Sequence, residues 1–466
     1  VRIAVWHNLP SGGGKRALYE HVRGLAARGH TLEAFCPASA DTGYLPLTDL
    51  ISETVLPFAW KDDAPPGRIG RLLHIYRRLP AQIAAMDAHC REAAARINAG
   101  GYDLLFANSC QFLAAAPIAK YVTIPTVLYL GEPYRALYEA RPTLPWLALP
   151  FTREAVPLPY GAQLIGHLRA SQARLQAREE RENAFAFGTI LTNSHYSRES
   201  ILRAYGRDSQ VCYLGIDTEL FTPNFAPDRE VSGSRIFDYG SSSGTEAEGA
   251  HEIGVVRGDA ADELWHEPYV VGLGSITSGK GIDRAIRAMA TIDATCRPEL
   301  VWIANMADPR YLPEVERLAA ECGVRFVPRM NLSDSDVVQT LGNAALMLYT
   351  PLLEPFGFAP LEANACGVPV VGIAEGGVRE TIIDGVNGIH VGDADPHTLG
   401  AAVLAMLKQP DMARAMGRAA RRHVIENWTW KHAIDRLDAR LREARMSAAK
   451  EQAIYDEAVR RTLGEN

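Results

Sequence analysis

The chain has 466 residues, of which 47% are hydrophobic and 22% charged, so it holds enough apolar material for one or more full cores. Its 39 glycines and 28 prolines fall well short of a collagen-like or low-complexity composition. With 48 Lys and Arg against 55 Asp and Glu, the net charge of −7 argues against a nucleic-acid binder.

In chain order, the opening predicts strand, glycine turn and helix. Residues 2–6 are a short apolar run and residues 11–14 a turn. Residues 15–28 carry Leu18, Val22 and Leu25 at helical spacing, and Gly29 ends them. Strands are expected at 31–37, 103–108, 126–130 and 189–193, with helices at 81–98 and 163–186 between them. A second series starts near Tyr269. Its strands are expected at 270–273, 300–304, 325–327, 346–349 and 368–373, and its helices at 281–292, 312–322, 334–343 and 360–366. Such alternation predicts an α/β chain with two Rossmann-like, doubly wound parallel sheets facing a cleft. The expected domains are 1–210, 211–430 with a loop insert at about 226–268, and a charged helical tail, 431–466, that could pack back on the first domain.

Two segments break the pattern. Residues 232–258 are rich in Gly, Ser and charge, as in an exposed loop. Residues 141–161 hold five prolines among Leu, Trp, Phe and Tyr, which excludes a regular helix. A packed irregular loop fits best; a flap making weak peripheral membrane contact stays open. The seven cysteines are odd in number and lack any CxxC pair, which reads as reduced thiols in a cytoplasmic protein. No run reaches the roughly 18 apolar residues of a membrane span, and the first residues read as a strand rather than a signal peptide.

The strongest chemical signal is Glu354-Pro-Phe-Gly-Phe-Ala-Pro-Leu-Glu362, directly after the expected strand 346–349. Pro360 suits the first turn of a helix and Gly367 its C-terminal cap. Glu354 then lies in the loop at the strand's carboxyl end, and Glu362 in the first helical turn. Ligands of open α/β sheets bind at this edge, and a diphosphate sits on free N–H groups at a helix start. Taken alone, Glu362 reads as a complement to the helix dipole, but the seven-residue spacing between the two Glu favours a functional reading. Gly357 permits close backbone approach, and two carboxylates can accept hydrogen bonds from a sugar and a ribose.

A second signal runs from Val270 to Asp283, where a glycine-containing loop places Lys280 at the start of the next helix. An ammonium there can neutralise a diphosphate leaving group. The spacing is not that of a Walker loop. The third signal, Ser11-Gly-Gly-Gly-Lys15, is a turn that lets backbone approach an anion or sugar. Asp334-Ser-Asp336 and Asp393-Ala-Asp395 look like metal-binding pairs but suit a helix start and a turn, so no metal site is expected.

Together these pieces resemble the retaining, GT-B-fold nucleotide-sugar glycosyltransferases of family 4, from Val1 to about Trp430. Thr192-Asn-Ser194, Leu214-Gly-Ile-Asp217 with Phe221 and Pro223, and Glu375-Gly-Gly-Val-Arg-Glu380 carry the same likeness. The resemblance implies a donor site in the second half and an acceptor site in the first. Glu354 and Lys280 would be catalytic. Gly13, Gly14, Ser275, Arg329, Met330, Gly357, Phe358, Ala359, Pro360, Leu361 and Glu362 would surround the donor, with Arg329 and Met330 near the base. His7, Asn108 and Glu132 would line the acceptor side. Two departures stand out: Ser275 replaces an Arg common five residues before the Lys, and Gly131 replaces a His. The implied reaction moves a hexose from a UDP- or GDP-sugar to a hydroxyl of a glycan, lipid-linked or small-molecule acceptor. It needs no metal or cofactor, and the nucleotide sugar is itself a substrate. A GT-B-fold sugar-nucleotide epimerase, or a degenerate partner subunit that binds nucleotide sugar without turnover, remain the alternatives.

Overall fold

The computed structural model describes residues 1–63, 67–138, 160–224 and 268–463. The proline-rich segment and the Gly/Ser-rich insert therefore fall outside the described residues, apart from Tyr160 and Gly161, which open a helix. The chain divides into two compact units, Val1–Gly215 with Trp430–Asn466, and Ile216–Thr429.

Unit 1 contains strands β1 (Arg2–Asn8), β2 (Thr31–Pro37), β3 (Ser52–Leu56), β4 (Leu104–Cys110), β5 (Thr126–Tyr129), β6 (Thr189–Thr192) and β7 (Gln210–Val211). They form one parallel sheet in the order β3-β2-β1-β4-β5-β6-β7. Its helices are α1 (Gly13–Ala27), α2 (Arg68–Ala99), α3 (Arg135–Tyr138), α4 (Tyr160–Ala186) and α5 (His195–Tyr205). The central strands are buried along almost their whole length, as a sheet covered on both faces requires. α1 buries Leu18, Val22 and Leu25 at the predicted spacing. α5 starts at Ser194, whose hydroxyl accepts from the Ser197 N–H at 3.0 Å, and stops at the left-handed Gly206. That start explains the Thr192-Asn-Ser194 stretch.

Unit 2 contains β8 (Val270–Leu273), β9 (Leu300–Ala304), β10 (Phe326–Met330), β11 (Leu346–Tyr349), β12 (Val370–Ile373) and β13 (Gly388–Val391). Their parallel order is β10-β9-β8-β11-β12-β13. Its helices are α6 (Ile282–Ala290), α7 (Tyr311–Glu321), α8 (Asp334–Gly342), α9 (Phe358–Ala365), α10 (Val378–Thr381), α11 (Pro396–Leu407) and α12 (Pro410–Asn427). α6 packs Ile282, Ala285, Ile286 and Met289 into the core below the sheet. The last helix, α13 (Trp430–Leu463), belongs to unit 1, where it lies on α1 with Ile434 against Gly24.

Several expectations need adjustment. α2 begins 13 residues before the expected start and runs through Pro80, and β3, β7 and β13 were not foreseen. β10 extends to Met330 rather than ending at 327. α9 starts at Phe358, two residues early, so Glu362 sits in its second turn and not its first. Asp334 lies in the first turn of α8 behind the Ser333 cap, and Asp395 caps α11. All seven cysteines are free, five of them buried. No described helix is long and apolar enough to cross a membrane.

Candidate functional site

In unit 2 the chain runs outward from β8 to β9 and β10 on one side, and from β11 to β13 on the other. The direction of winding therefore reverses between β8 and β11, and ligands of such sheets sit outside the strand ends at that reversal. The loops leaving these two strands carry Lys280 and Glu354. Lys280 Nζ donates to Glu354 Oε2 at 3.0 Å, with the two side chains 28% and 19% exposed. The pair is thus both formed and reachable by solvent, so an incoming polyanion can compete for the ammonium.

Each loop is held by bonds that sequence alone did not announce. The Thr350 hydroxyl, fully buried at the end of β11, donates to the Gly281 carbonyl at 2.8 Å. Arg284 Nε donates back to the Thr350 carbonyl at 3.0 Å. These two bonds tie the loop that follows Lys280 to the strand that precedes Glu354. The Trp302 indole N–H donates to the Gly274 carbonyl at 2.9 Å and steadies the start of the β8 loop. Ser275, half-buried there, has its hydroxyl 3.4 Å from that of Thr277.

The Glu354 loop is braced from its other side by Glu375-Gly-Gly. The Gly377 N–H donates to the Glu354 carbonyl at 2.8 Å. A Cβ on Gly376 would stand 2.8 Å from the Glu354 nitrogen, and one on Gly377 would stand 2.8 Å from the Pro355 carbonyl carbon. Only glycines let these backbones approach so closely, which is a physical reason for the Gly-Gly pair quoted above.

Gly357 enters α9 with φ 95°, a conformation that favours glycine, and no side chain caps the helix. The leading N–H groups of α9, those of Ala359 and Leu361 among them, stand where a helix makes no intrahelical bonds from its donors, and Pro360 between them has no N–H. Phe358 is half-buried, while Ala359, Pro360 and Leu361 are buried. Glu362 is 4% exposed, near Cys366, whose thiol burial and the Glu362 charge push up to about 12. At the far edge, Arg329 and Met330 end β10, and Arg329 Nη1 donates to the Thr340 hydroxyl at 3.2 Å. The structure therefore gathers Lys280, Glu354, Gly357 and the α9 start at one reversal, with Arg329 and Met330 two strands away.

Unit 1 shows the same winding, reversing between β1 and β4. Gly13 and Gly14 are exposed in the first turn of α1, and Asn108 is 3% exposed near the end of β4. Glu132 is half-exposed and pairs with Arg135 at 2.6 Å. Gly131, where the resembled family often has His, has the Asn193 amide against it. His7 does not fit the role expected of it: it is fully buried and bonded to Glu53 at 2.8 Å, so it has no surface to offer an acceptor. Neither Asp334-Ser-Asp336 nor Asp393-Ala-Asp395 belongs to a cluster of three potential metal ligands among the described residues.

Two Rossmann-like units of this kind define the GT-B fold. Sucrose-phosphate synthase from Thermosynechococcus elongatus superimposes with a TM-score of 0.61 at 18% identity, covering 96% of this chain and 99% of that one. Anabaena Alr3699/HepE, solved in complex with UDP, gives 0.63 at 17% identity over 95% and 100%. Residues 11–220 match the family described as Glycosyltransferase Family 4, and residues 262–423 match Glycosyl transferases group 1. The chain belongs to the family 4 glycosyltransferases.

Among curated relatives, the GDP-mannose-dependent alpha-(1-6)-phosphatidylinositol monomannoside mannosyltransferase of Mycolicibacterium smegmatis is 30% identical over 54% of this chain and 63% of its own length. The D-inositol 3-phosphate glycosyltransferase of Geodermatophilus obscurus is 35% identical over 30% and 31%. The chain thus spans less than two thirds of the curated relatives it matches.

Proposed function

We propose that this protein is a retaining hexosyltransferase that uses a UDP- or GDP-sugar and a hydroxyl acceptor. The observation that carries this reading is the Lys280–Glu354 pair at the β8/β11 reversal, beside the glycine-led start of α9. A diphosphate entering there takes over the Lys280 ammonium and meets the N–H groups that lead α9, which releases the Glu354 carboxylate for hydroxyls of the donor sugar. The nucleoside extends toward β10, where Arg329 and Met330 stand across two strand spacings, roughly 10 Å. Glu362 is assigned to the ribose.

In the transfer, the acceptor oxygen attacks the anomeric carbon from the face the diphosphate leaves. The sugar–phosphate C–O bond breaks as the new glycosidic bond forms, and the acceptor proton passes to a departing phosphate oxygen. Lys280 stabilises the charge that grows on that group, and Glu354 fixes the sugar for attack. The reading needs no metal and no cofactor. We place the protein in the cytoplasm on the strength of its seven free cysteines. The kinship with mannosyl- and inositol-phosphate glycosyltransferases favours a polyol or lipid-linked polyol acceptor.

A panel of UDP- and GDP-sugars tests the proposal by thermal shift, since a true donor raises Tm by mass action. The donor so identified is then incubated with and without candidate alcohols, and the anomeric configuration of the product is read by NMR. An epimerised donor formed without acceptor, an inverted product, or binding with no turnover would each overturn the reading.

A further inference from the structure

A second cluster of chemically active side chains lies in unit 1, apart from the donor chemistry. His7 is on β1, Cys36 on β2 and Glu53 on β3, three neighbouring parallel strands. The register pairs Val5 with Ala34 and Ala34 with Glu53, and it carries His7 alongside Cys36. All three side chains consequently project from one face. Their donor atoms lie within 4.8 Å of one another. The side chains of His7 and Glu53 are 0% and 1% exposed, and Cys36 is fully buried.

An imidazole nitrogen, a sulfur and a carboxylate oxygen form a ligand set suited to zinc and its neighbours rather than to magnesium or calcium. Bonds of 2.0–2.3 Å around a tetrahedral ion put ligand atoms roughly 3.3–3.8 Å apart, so the observed spread closes with small side-chain movements. One further atom points the same way. His7 Nδ1 is buried without a hydrogen-bond partner. Buried polar atoms left in that state call for a water or an ion. Among the described residues no other group of three such side chains gathers in this way.

We propose that His7, Cys36 and Glu53 form a binding site for a zinc-class divalent cation, which clasps the carboxyl ends of β1 and β2 to the start of β3. Lys15 is a nearby group that opposes a cation, and it is buried without a hydrogen-bond partner. Its burial disfavours the ammonium, while Glu53, Cys36 and Asp41 favour it. Removing its charge therefore strengthens the site.

The test uses the full chain carrying Cys296→Ser and Cys322→Ser, which removes the two thiols that are not buried. After chelator treatment, Zn²⁺ is titrated while bound metal and Tm are measured, and Co²⁺ is added in parallel to reveal a thiolate-to-cobalt charge-transfer band. One ion per chain, a raised Tm and the cobalt band are expected. Cys36→Ser abolishes the band, Glu53→Gln weakens binding by at least ~10-fold, and Lys15→Met tightens it. Absence of the band in the parent protein overturns the proposal without recourse to variants. So does undiminished binding in Cys36→Ser, or weaker binding in a folded Lys15→Met.

Discussion

Replacing Gly377 by alanine probes how tightly the Glu354 loop is braced. Gly377 has φ −72°, so alanine brings no backbone strain there. Its Cβ would stand 2.8 Å from the Pro355 carbonyl carbon and 2.9 Å from the Phe356 Cα, and nearer still to the Pro355 oxygen. Carbon atoms rest about 3.5–4.0 Å apart, so the 354–356 backbone must recede by roughly 1 Å. That movement carries Glu354 away from Lys280, whose bond to it is 3.0 Å. A misplacement of this size lowers kcat/KM by about 100-fold, or about 2.7 kcal/mol of transition-state stabilisation. Overpacking itself costs about 1–3 kcal/mol of stability.

Steady-state donor turnover and thermal unfolding measure the two effects. Gly392→Ala is the control, because a Cβ there meets nothing within 4 Å. Gly376→Ala should be worse than Gly377→Ala, since Gly376 also has φ 62°, which adds about 1 kcal/mol of strain. If Gly377→Ala keeps kcat/KM within threefold of the parent while folding normally, the bracing argument is wrong.

Further outcomes follow from the same geometry. Glu354→Gln and Lys280→Met should each reduce kcat/KM by at least ~100-fold in the donor assay, with little change in Tm, because both side chains are partly exposed. Thr350→Val removes the 2.8 Å bond to the Gly281 carbonyl, which keeps its helix donors Arg284 and Ala285, and should cost about 0.5–1.5 kcal/mol in urea unfolding, together with a measurable loss of turnover. His21 is fully buried among the rings of Phe106, Tyr129 and Trp430, with neither ring nitrogen bonded. Burial pulls its pKa from 6.5 to about 3. The unfolded chain therefore takes up this proton as pH falls below 6.5, while the folded chain refuses it until about pH 3. Stability is lost across that window, by about 3 kcal/mol at pH 4.5. His21→Leu should be at least as stable at pH 7 and should lose less between pH 7 and 4.5. Parallel losses in both proteins, read by urea midpoints, would contradict this.

Much of the architecture is readable from alternation alone. The core strands of both sheets are continuous apolar runs bounded by turn residues, and the Glu354–Glu362 segment follows one of them directly. What escaped has identifiable causes. Ser52–Leu56 at the sheet edge is only partly buried and lacks an apolar signature. The helix expected from residue 81 starts earlier, because Pro80 lies on the exposed side of α2 and is accommodated within it. α9 starts at Phe358 because Gly357, and not Pro360, makes the turn into it. The Thr350 and Arg284 bonds link residues 66 and 69 positions apart, and His7 meets Glu53 across 46. Such meetings depend on strand order and register, which no local pattern encodes. Buried polar residues on core strands are the one hint that sequence offered, and only strand placement gives them partners.

A structure of the protein with an intact or non-hydrolysable nucleotide sugar tests the central claim most directly. The account predicts the diphosphate at the β8/β11 reversal, with a phosphate oxygen within hydrogen-bond reach of Lys280 Nζ, and with Glu354 released from Lys280 onto sugar hydroxyls. A nucleotide bound elsewhere, with the Lys280–Glu354 pair still closed, would contradict it.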